Sequence, residues 1–497
     1  MAVGLQRASI FAIKEEVTAG EYVKPDSGTQ FVPLRPGNSL SFTAEQLESD
    51  ELLNDIGAAK SFVGKESSEG SHSAYLRHSG VEGQEPQLGV MFESVMGSKV
   101  VNGVQYNADA GSDFEIVVVA NPQDFYPGQA LLLKNGSGYE IRNIKSIDNN
   151  DLYLNFYSNA SADGVGLGRA ITYIPAPQGH PTFSATKYLG NGHAIEATAG
   201  NTVSELSLTA DANGFGEVEF TYAGTKYFFN PIEIGATNKY LDFSYDATVY
   251  AASITEKVYK TPIELADALK TALNAAIGVE GFNVVYNKNV GTFTISSGSA
   301  TTLDLLWDSG TNAANSIGAT LGFSVAADDT GALTYTSDSE LDLTSPIDPI
   351  YDSADAIIVK GAELFIGTEV DNVCVCAQSV SLTVTKETED VDCICEETGV
   401  KEKIAVSRSV EMSVTAVLNK HDATLLDALL KNSGISAMLN AGPKTGGNWI
   451  PGKCFNVYLS NCTVSSYTTT GDSFIQAEIT LKGFVTSTQK DVYLNFV

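Results

Sequence analysis

The segment Ser39-Leu40-Ser41-Phe42-Thr43 returns 340 positions later as Ser379-Val380-Ser381-Leu382-Thr383, and each copy opens a series of elements in the same order. After the first copy come an acidic stretch from Glu45 to Asp50, a region rich in Gly and Ser, a short amphipathic helix ending at Gly97, and a hairpin closing at Gly224. After the second come Glu387 to Asp390, a basic and polar strand, a helix ending at Gly434, and a hairpin closing at Gly483. A chain that carries one β-rich unit twice is suited to filling a ring or a lattice, rather than to enclosing a substrate.

At 497 residues the chain exceeds one ordinary core, and its length suggests about three domains. The abundance of Tyr, Phe and Gly favours strands and tight turns, so the expected class is mainly β. The balance of 30 basic against 60 acidic residues gives a net charge of −30, which argues against binding nucleic acid or an anionic membrane through a basic surface. The apolar run near the start meets Lys14, Glu15 and Glu16 before a secretion signal forms. The most apolar short run, Ile116 to Ala120, falls far short of the roughly 20 residues that cross a bilayer, and a soluble chain is expected.

The copies are unequal, and the excess has a location. Residues 1–231 read as a first domain with an N-terminal arm, and short strands at about 113–173 form a small accessory β unit within it. In this domain the helix is predicted from Pro86 to Met96, with Leu88, Phe92, Val95 and Met96 at helical spacing. Residues 232–340 read as an inserted α+β module. Its helix is signalled by Thr261 as cap, Pro262 in the first turn and Glu264 completing a capping box, with Leu265, Leu269, Ala272, Leu273 and Ile277 facing inward. A hairpin from Asn283 to Ser296, a strand from Leu303 to Trp307 and a small-residue helix near Ala313 to Leu321 complete it. Residues 341–497 form the second domain, with a helix predicted from Asp422 to Asn432 and a closing hairpin in which Ile475, Ala477, Ile479 and Leu481 alternate.

Six cysteines fall between Cys374 and Cys462, as Cys374 and Cys376, Cys393 and Cys395, Cys454, and Cys462. Alternate strand positions share a face. If the strands holding the two pairs form a hairpin, Cys376 faces Cys393 and Cys374 faces Cys395, an arrangement open to free thiols, disulfides or a soft metal. His72, His78, His180, His193 and His421 are scattered, without the HExxH spacing of a zinc site. Phosphate-binding glycine loops and the GxSxG elbow are also missing. The acidic runs Glu45 to Glu51 and Glu387 to Asp390 lack EF-hand spacing and read as solvated loops. No catalytic, cofactor-binding or metal-ligating residue is therefore assigned, and no enzyme is expected.

The arm, the Ser39 to Thr43 strand with its acidic continuation, the Tyr75 to Met96 segment and the hairpin ending at Gly224 together resemble the major tail tube proteins of long-tailed bacteriophages. The part from Gly361 through Gly483 resembles the same family's domain again. The resemblance implies two tandem β-sandwich domains, each with a flanking helix, in a structural virion protein that assembles in the host cytoplasm. Six such domains close a ring, so two per chain imply a homotrimer that imitates a hexamer, stacked into a tube of the non-contractile type. It further implies contacts with the tape measure protein, the tail terminator and distal tail or baseplate proteins, with DNA passing through the lumen unbound. An acidic bore would repel that DNA, and the 232–340 module would project outward, where weak cell-surface contact is open to it. The alternatives are the inner tube of a contractile tail and a cell-surface adhesive β protein.

Overall fold

The computed structural model describes residues 6–49, 60–135, 138–159, 161–162, 164–368, 372–417, 427, 431–470 and 475–497. The fold is mainly β and divides into two compact units. One comprises Met1–Phe11, Ala185–Thr198 and Tyr227–Asp348; the other comprises Ala12–Ser184, Ala199–Lys226 and Pro349–Val497.

Eight strands organise the larger unit. They are β1 (Ser39–Leu47), β2 (Phe62–Tyr75), β3 (Ala194–Asp211), β4 (Gly216–Gly224), β5 (Ala377–Asp392), β6 (Val400–Val417), β7 (Phe455–Thr470) and β8 (Gln476–Gly483). They pair antiparallel in the spatial order β1-β2-β4-β3-β5-β6-β8-β7. The first four strands and the last four are thus laid out alike. Because side chains alternate across a sheet, every second residue turns to the core. Val218, Phe220 and Tyr222 on β4, Val380, Leu382 and Val384 on β5, Met412 and Val414 on β6, and Ala477, Ile479 and Leu481 on β8 are all buried. Gly70 on β2 is required by that packing, since a Cβ there would meet the Tyr222 ring at 2.3 Å. Ile475, expected to begin the β8 alternation, lies before the strand and is exposed.

Helix α1 (Gly89–Met96) packs on the core side, three residues shorter at its start than predicted because Pro86 to Leu88 form a turn instead. Phe92 centres an aromatic cluster with Phe220, Phe496 and Tyr173 at ring separations of 5.1, 5.3 and 5.5 Å. Gly97 ends the helix at φ 95°, the left-handed conformation that glycine adopts without cost. The second helix, predicted at Asp422 to Asn432, lies largely outside the described residues.

The accessory sheet has six strands running from Tyr106 to Leu167, around a core that includes Val117, Leu131, Ile144, Leu152 and Leu154. Ala170–Pro175 pairs instead with Gly97–Asn102 and Tyr493–Phe496 in the large sheet. Four asparagines knit the two sheets together. Asn456 Nδ2 donates to Asn143 Oδ1 (3.0 Å) and Asn440 Oδ1 (2.7 Å), while its Oδ1 accepts from Asn143 (2.9 Å) and Asn495 (2.8 Å). All four are buried. A buried amide is tolerated only when its donors and acceptors are filled, so this ladder specifies one docking geometry.

In the smaller unit, residues 232–323 supply a separate core, with Leu241, Phe243, Leu265, Leu269, Leu273, Phe293 and Trp307 at its centre. Helix α2 (Pro262–Ile277) starts as the sequence indicates, with Thr261 Oγ1 accepting the Glu264 amide at 3.2 Å. Glu264, however, reaches back past the cap to the amide of Lys260 (2.6 Å), so the reciprocal capping box does not form. The predicted helix at Ala313 to Leu321 is a 3₁₀ turn, Ala313–Asn315, followed by the single turn Gly318–Leu321. Asn315, Ser316 and Gly318 are weak helix formers and account for the interruption.

Replacing Asn456 by Ala strands amide groups of Asn143, Asn440 and Asn495 in a dry site, at about 1–3 kcal/mol for each group left unpaired. Urea unfolding is expected to show that loss as a lower midpoint.

Candidate assembly interface

A strand edge with free amides and carbonyls is a template for another strand. Among the described residues, β1 pairs only with β2, and the part of β7 beyond Cys462 pairs only with β8, so the eight-strand run ends in an open edge on each side. The two halves of the run can be read across in matching rows. One row is Ser39, Ser71, Thr221 and Glu205; the other is Ser379, Thr415, Glu478 and Thr468. The halves meet at β3 and β5, paired from Glu205↔Thr385 to Asp211↔Ser379. Leu206 and Leu208 lie opposite Val384 and Leu382 there, and all four are buried. This junction shows how the third strand of one half accepts the first strand of another.

The face turned away from the core is polar and acidic. It carries Glu69 on β2, Glu217 and Glu219 on β4, Glu205 on β3, Glu411 on β6 and Glu478 on β8, among Ser and Thr. Lys482, 3.9 Å from Glu411, is the basic residue of β8 on this face. Two hairpins overhang the run. Pairing of β2 with β4 stops at Ser68, and pairing of β5 with β3 stops at Thr385, leaving each longer strand to continue with its hairpin partner alone. Lys65 ties the overhangs together through Asp390 (2.6 Å) and Asp392 (2.8 Å), and the Glu66 amide donates to the Thr398 carbonyl (3.0 Å). Phe62, Val63, Ile404 and Val406 remain exposed on them.

Behind the sheet lies a cationic group that the sequence reading missed. Lys386 occupies the inward position after Val380, Leu382 and Val384, and its Nζ donates to the Ser94 carbonyl near the end of α1 (2.6 Å) and to Thr202 Oγ1 (2.7 Å). A lysine at a core-facing step of the alternation was the available signal. Burial disfavours the ammonium and draws its pKa down to about 7. Arg408, its cross-strand neighbour, is held by Asp491 at 2.8 Å. His180 also contacts the Ser94 carbonyl (2.9 Å), and its pKa is lowered first by burial and then by Lys386.

The cysteine pairs do not face each other. Cys376 precedes β5 and Cys393 follows it, so the 16-residue strand itself separates them by about 50 Å at about 3.3 Å per residue. A disulfide needs Cα atoms within about 7 Å. Cys376 and Cys395 are exposed, and the Cys374 side chain lies outside what is described. Cys454 and Cys462 are buried, with pKa values pushed up to about 12 by desolvation, and their thiols donate to the carbonyls of Ile450 and Ile435. Of the histidines, His72 is buried on β2, and burial draws His78 down to about 4, which keeps it neutral. His421 lies outside the described residues. Glu387 accepts a hydrogen bond from Ser407, and Asp390 pairs with Lys65 and Lys403. Among the described residues, no helix is long and apolar enough to cross a membrane.

Comparison with protein-family models matches residues 6–364 to the phage tail tube protein family. The chain belongs to that family, as a structural component of a virion tail. The matched span takes in β1 to β4 and residues 232–340 and ends before β5. No curated protein matches the sequence.

An unfolded lysine titrates near 10.4, well above folded Lys386, so between these values the unfolded chain holds the extra proton and stability rises with pH. Above about pH 8.5 the raised thiols of Cys454 and Cys462 act in the opposite sense. From pH 7 to 8.5 the wild-type chain is expected to gain up to about 1 kcal/mol per pH unit relative to Lys386→Met. Denaturant titrations of both proteins across that range provide the check; equal slopes would show that burial does not lower the Lys386 pKa.

Proposed function

We propose that three copies of this chain close into a ring in which β7 of each pairs with β1 of the next, and that stacked rings form the hollow tail tube through which the genome leaves the virion. The observation that carries this reading is the junction of β3 with β5, because it joins two alike halves and, among the described residues, leaves the corresponding end strands paired on one side only. Each half then serves as one tandem tube domain, and three chains imitate six subunits. Closure covers the open edges at both ends of the run, which is the physical reason for a ring rather than an open aggregate.

The register follows from the repeat. Thr385 stands six residues after Ser379 and pairs with Glu205, whose row equivalent is Thr468. The residue six after Ser39 is Glu45, so Thr468 is placed opposite Glu45 of the neighbouring chain. Glu69, Glu205, Glu219, Glu411 and Glu478 then face the bore. Duplex DNA carries about one negative charge per 1.7 Å, and an acidic wall repels it over a screening length of about 8 Å. The genome slides without adhering. Residues 232–340 lie outside the ring wall in this reading, which favours a naked, non-contractile tube, because outward modules would collide with a sheath. Tape measure, terminator and distal tail or baseplate proteins are the expected partners, with assembly in the host cytoplasm.

The test uses Glu45→Cys with Thr468→Cys, in a chain whose Cys376, Cys393 and Cys395 are changed to Ser. Oxidised rings are expected to run as covalent dimers and trimers on a non-reducing gel, with the trimer as the largest product. Monomers alone would refute the register, and a ladder continuing past the trimer would refute a closed ring of three.

A further inference from the structure

Two exposed thiol positions bracket the longest hairpin of the sheet, and no role in the tube reading accounts for them. Cys376 sits at the base of β5, where its carbonyl accepts the Val417 amide at 3.0 Å and the neighbouring Gln378 carbonyl accepts the Ala212 amide of the β3–β4 turn at 2.7 Å. Cys393 and Cys395 sit at the opposite end, in the turn that joins β5 to β6. That turn is closed by the bonds from Cys393 N to Gly399 O (3.0 Å) and from Gly399 N to Glu396 O (3.1 Å). Between the two thiols of the turn, Ile394 is fully exposed. The β5 strand holds these ends about 50 Å apart, so neither thiol group can reach the other within one chain.

Reactive groups at the two ends of a rigid element meet when copies are placed end to end. We infer that Cys376 of one copy and Cys395 or Cys393 of the copy stacked on it form a disulfide, making the turn a covalent latch between successive rings. The inference rests on the stacked-ring reading above. Its occupant is a second copy of this chain in a head-to-tail, heterologous contact, the kind that propagates along an axis rather than closing on itself. The overhang of β5 and β6, beside that of β1 and β2, carries the turn toward where a stacked copy would lie, and Ile394 supplies an apolar surface to bury there.

The chemistry balances with dioxygen as oxidant. Two thiols lose two protons and two electrons, one S–S bond forms, and one dioxygen becomes hydrogen peroxide. In the reducing cytoplasm the thiols stay free and rings can still exchange; after release into an oxidising medium the latch closes.

The experiment uses tubes assembled from the full chain in reductant, exposed to dissolved dioxygen, quenched with iodoacetamide and run on non-reducing gels beside electron micrographs of the same sample. The expected result is a ladder of multimers extending past the trimer and collapsed by dithiothreitol, with peptide mass spectrometry joining Cys376 to Cys395 or Cys393. Cys376→Ser, and separately Cys393→Ser with Cys395→Ser, should cut the cross-linked fraction at least tenfold while tubes persist in the micrographs. Intact wild-type tubes whose chains stay monomeric would overturn the latch alone, as would links joining Cys376 only to Cys376. A chain that forms no tubes refutes the stacking itself, and the latch falls with it.

Discussion

The structure depends on the need of every strand to fill its backbone hydrogen bonds on both sides. Within the eight-strand run that need is met by neighbours from the same chain, including the seam between β3 and β5, where two alike halves join. Among the described residues, β1 and the outer part of β7, at the ends of the run, each pair with one strand alone. An exposed edge of this kind is a hazard in a protein that works alone. Under the reading proposed it is the means of assembly, and the internal seam serves as a pattern for the external one.

The polar groups around this sheet divide the work. Glu and Ser or Thr occupy the face turned away from the core, where water screens them and where a repelling wall is useful. Behind the sheet, the asparagine ladder of Asn143, Asn440, Asn456 and Asn495 fixes the accessory sheet against the large one. Lys386 anchors the end of α1 at some electrostatic cost, which its lowered pKa records. Buried groups of this kind contribute little net stability but penalise any other docking.

The alternation of Ala477, Ile479 and Leu481 on β8 was legible in the sequence because strand periodicity is a local property. The start of α2 was legible for the same reason, through Thr261 and Pro262. The reach of Glu264 to Lys260 and the break at Asn315 to Gly318 were not, because each turns on a competition between nearly equal local bonds. The asparagine ladder joins Asn143 to residues some 300 and more positions away and left no pattern to find. Lys386 did leave one, as a charge at a core-facing step. The cysteine pairs show the opposite failure: spacing suggested that they face each other, and the length of β5 forbids it.

By itself the sequence determined a mainly β chain with a recurring order of elements, since composition and period-two alternation select strands whatever their neighbours. Only the tertiary structure decided which strands lie side by side, where the run ends, and which faces become core or wall. Pairing between β3 and β5 brings together residues from distant parts of the chain, and backbone hydrogen bonds carry no sequence code that would announce it. The repeat marked a recurring order of elements; the pairing of distant strands decided where the run ends.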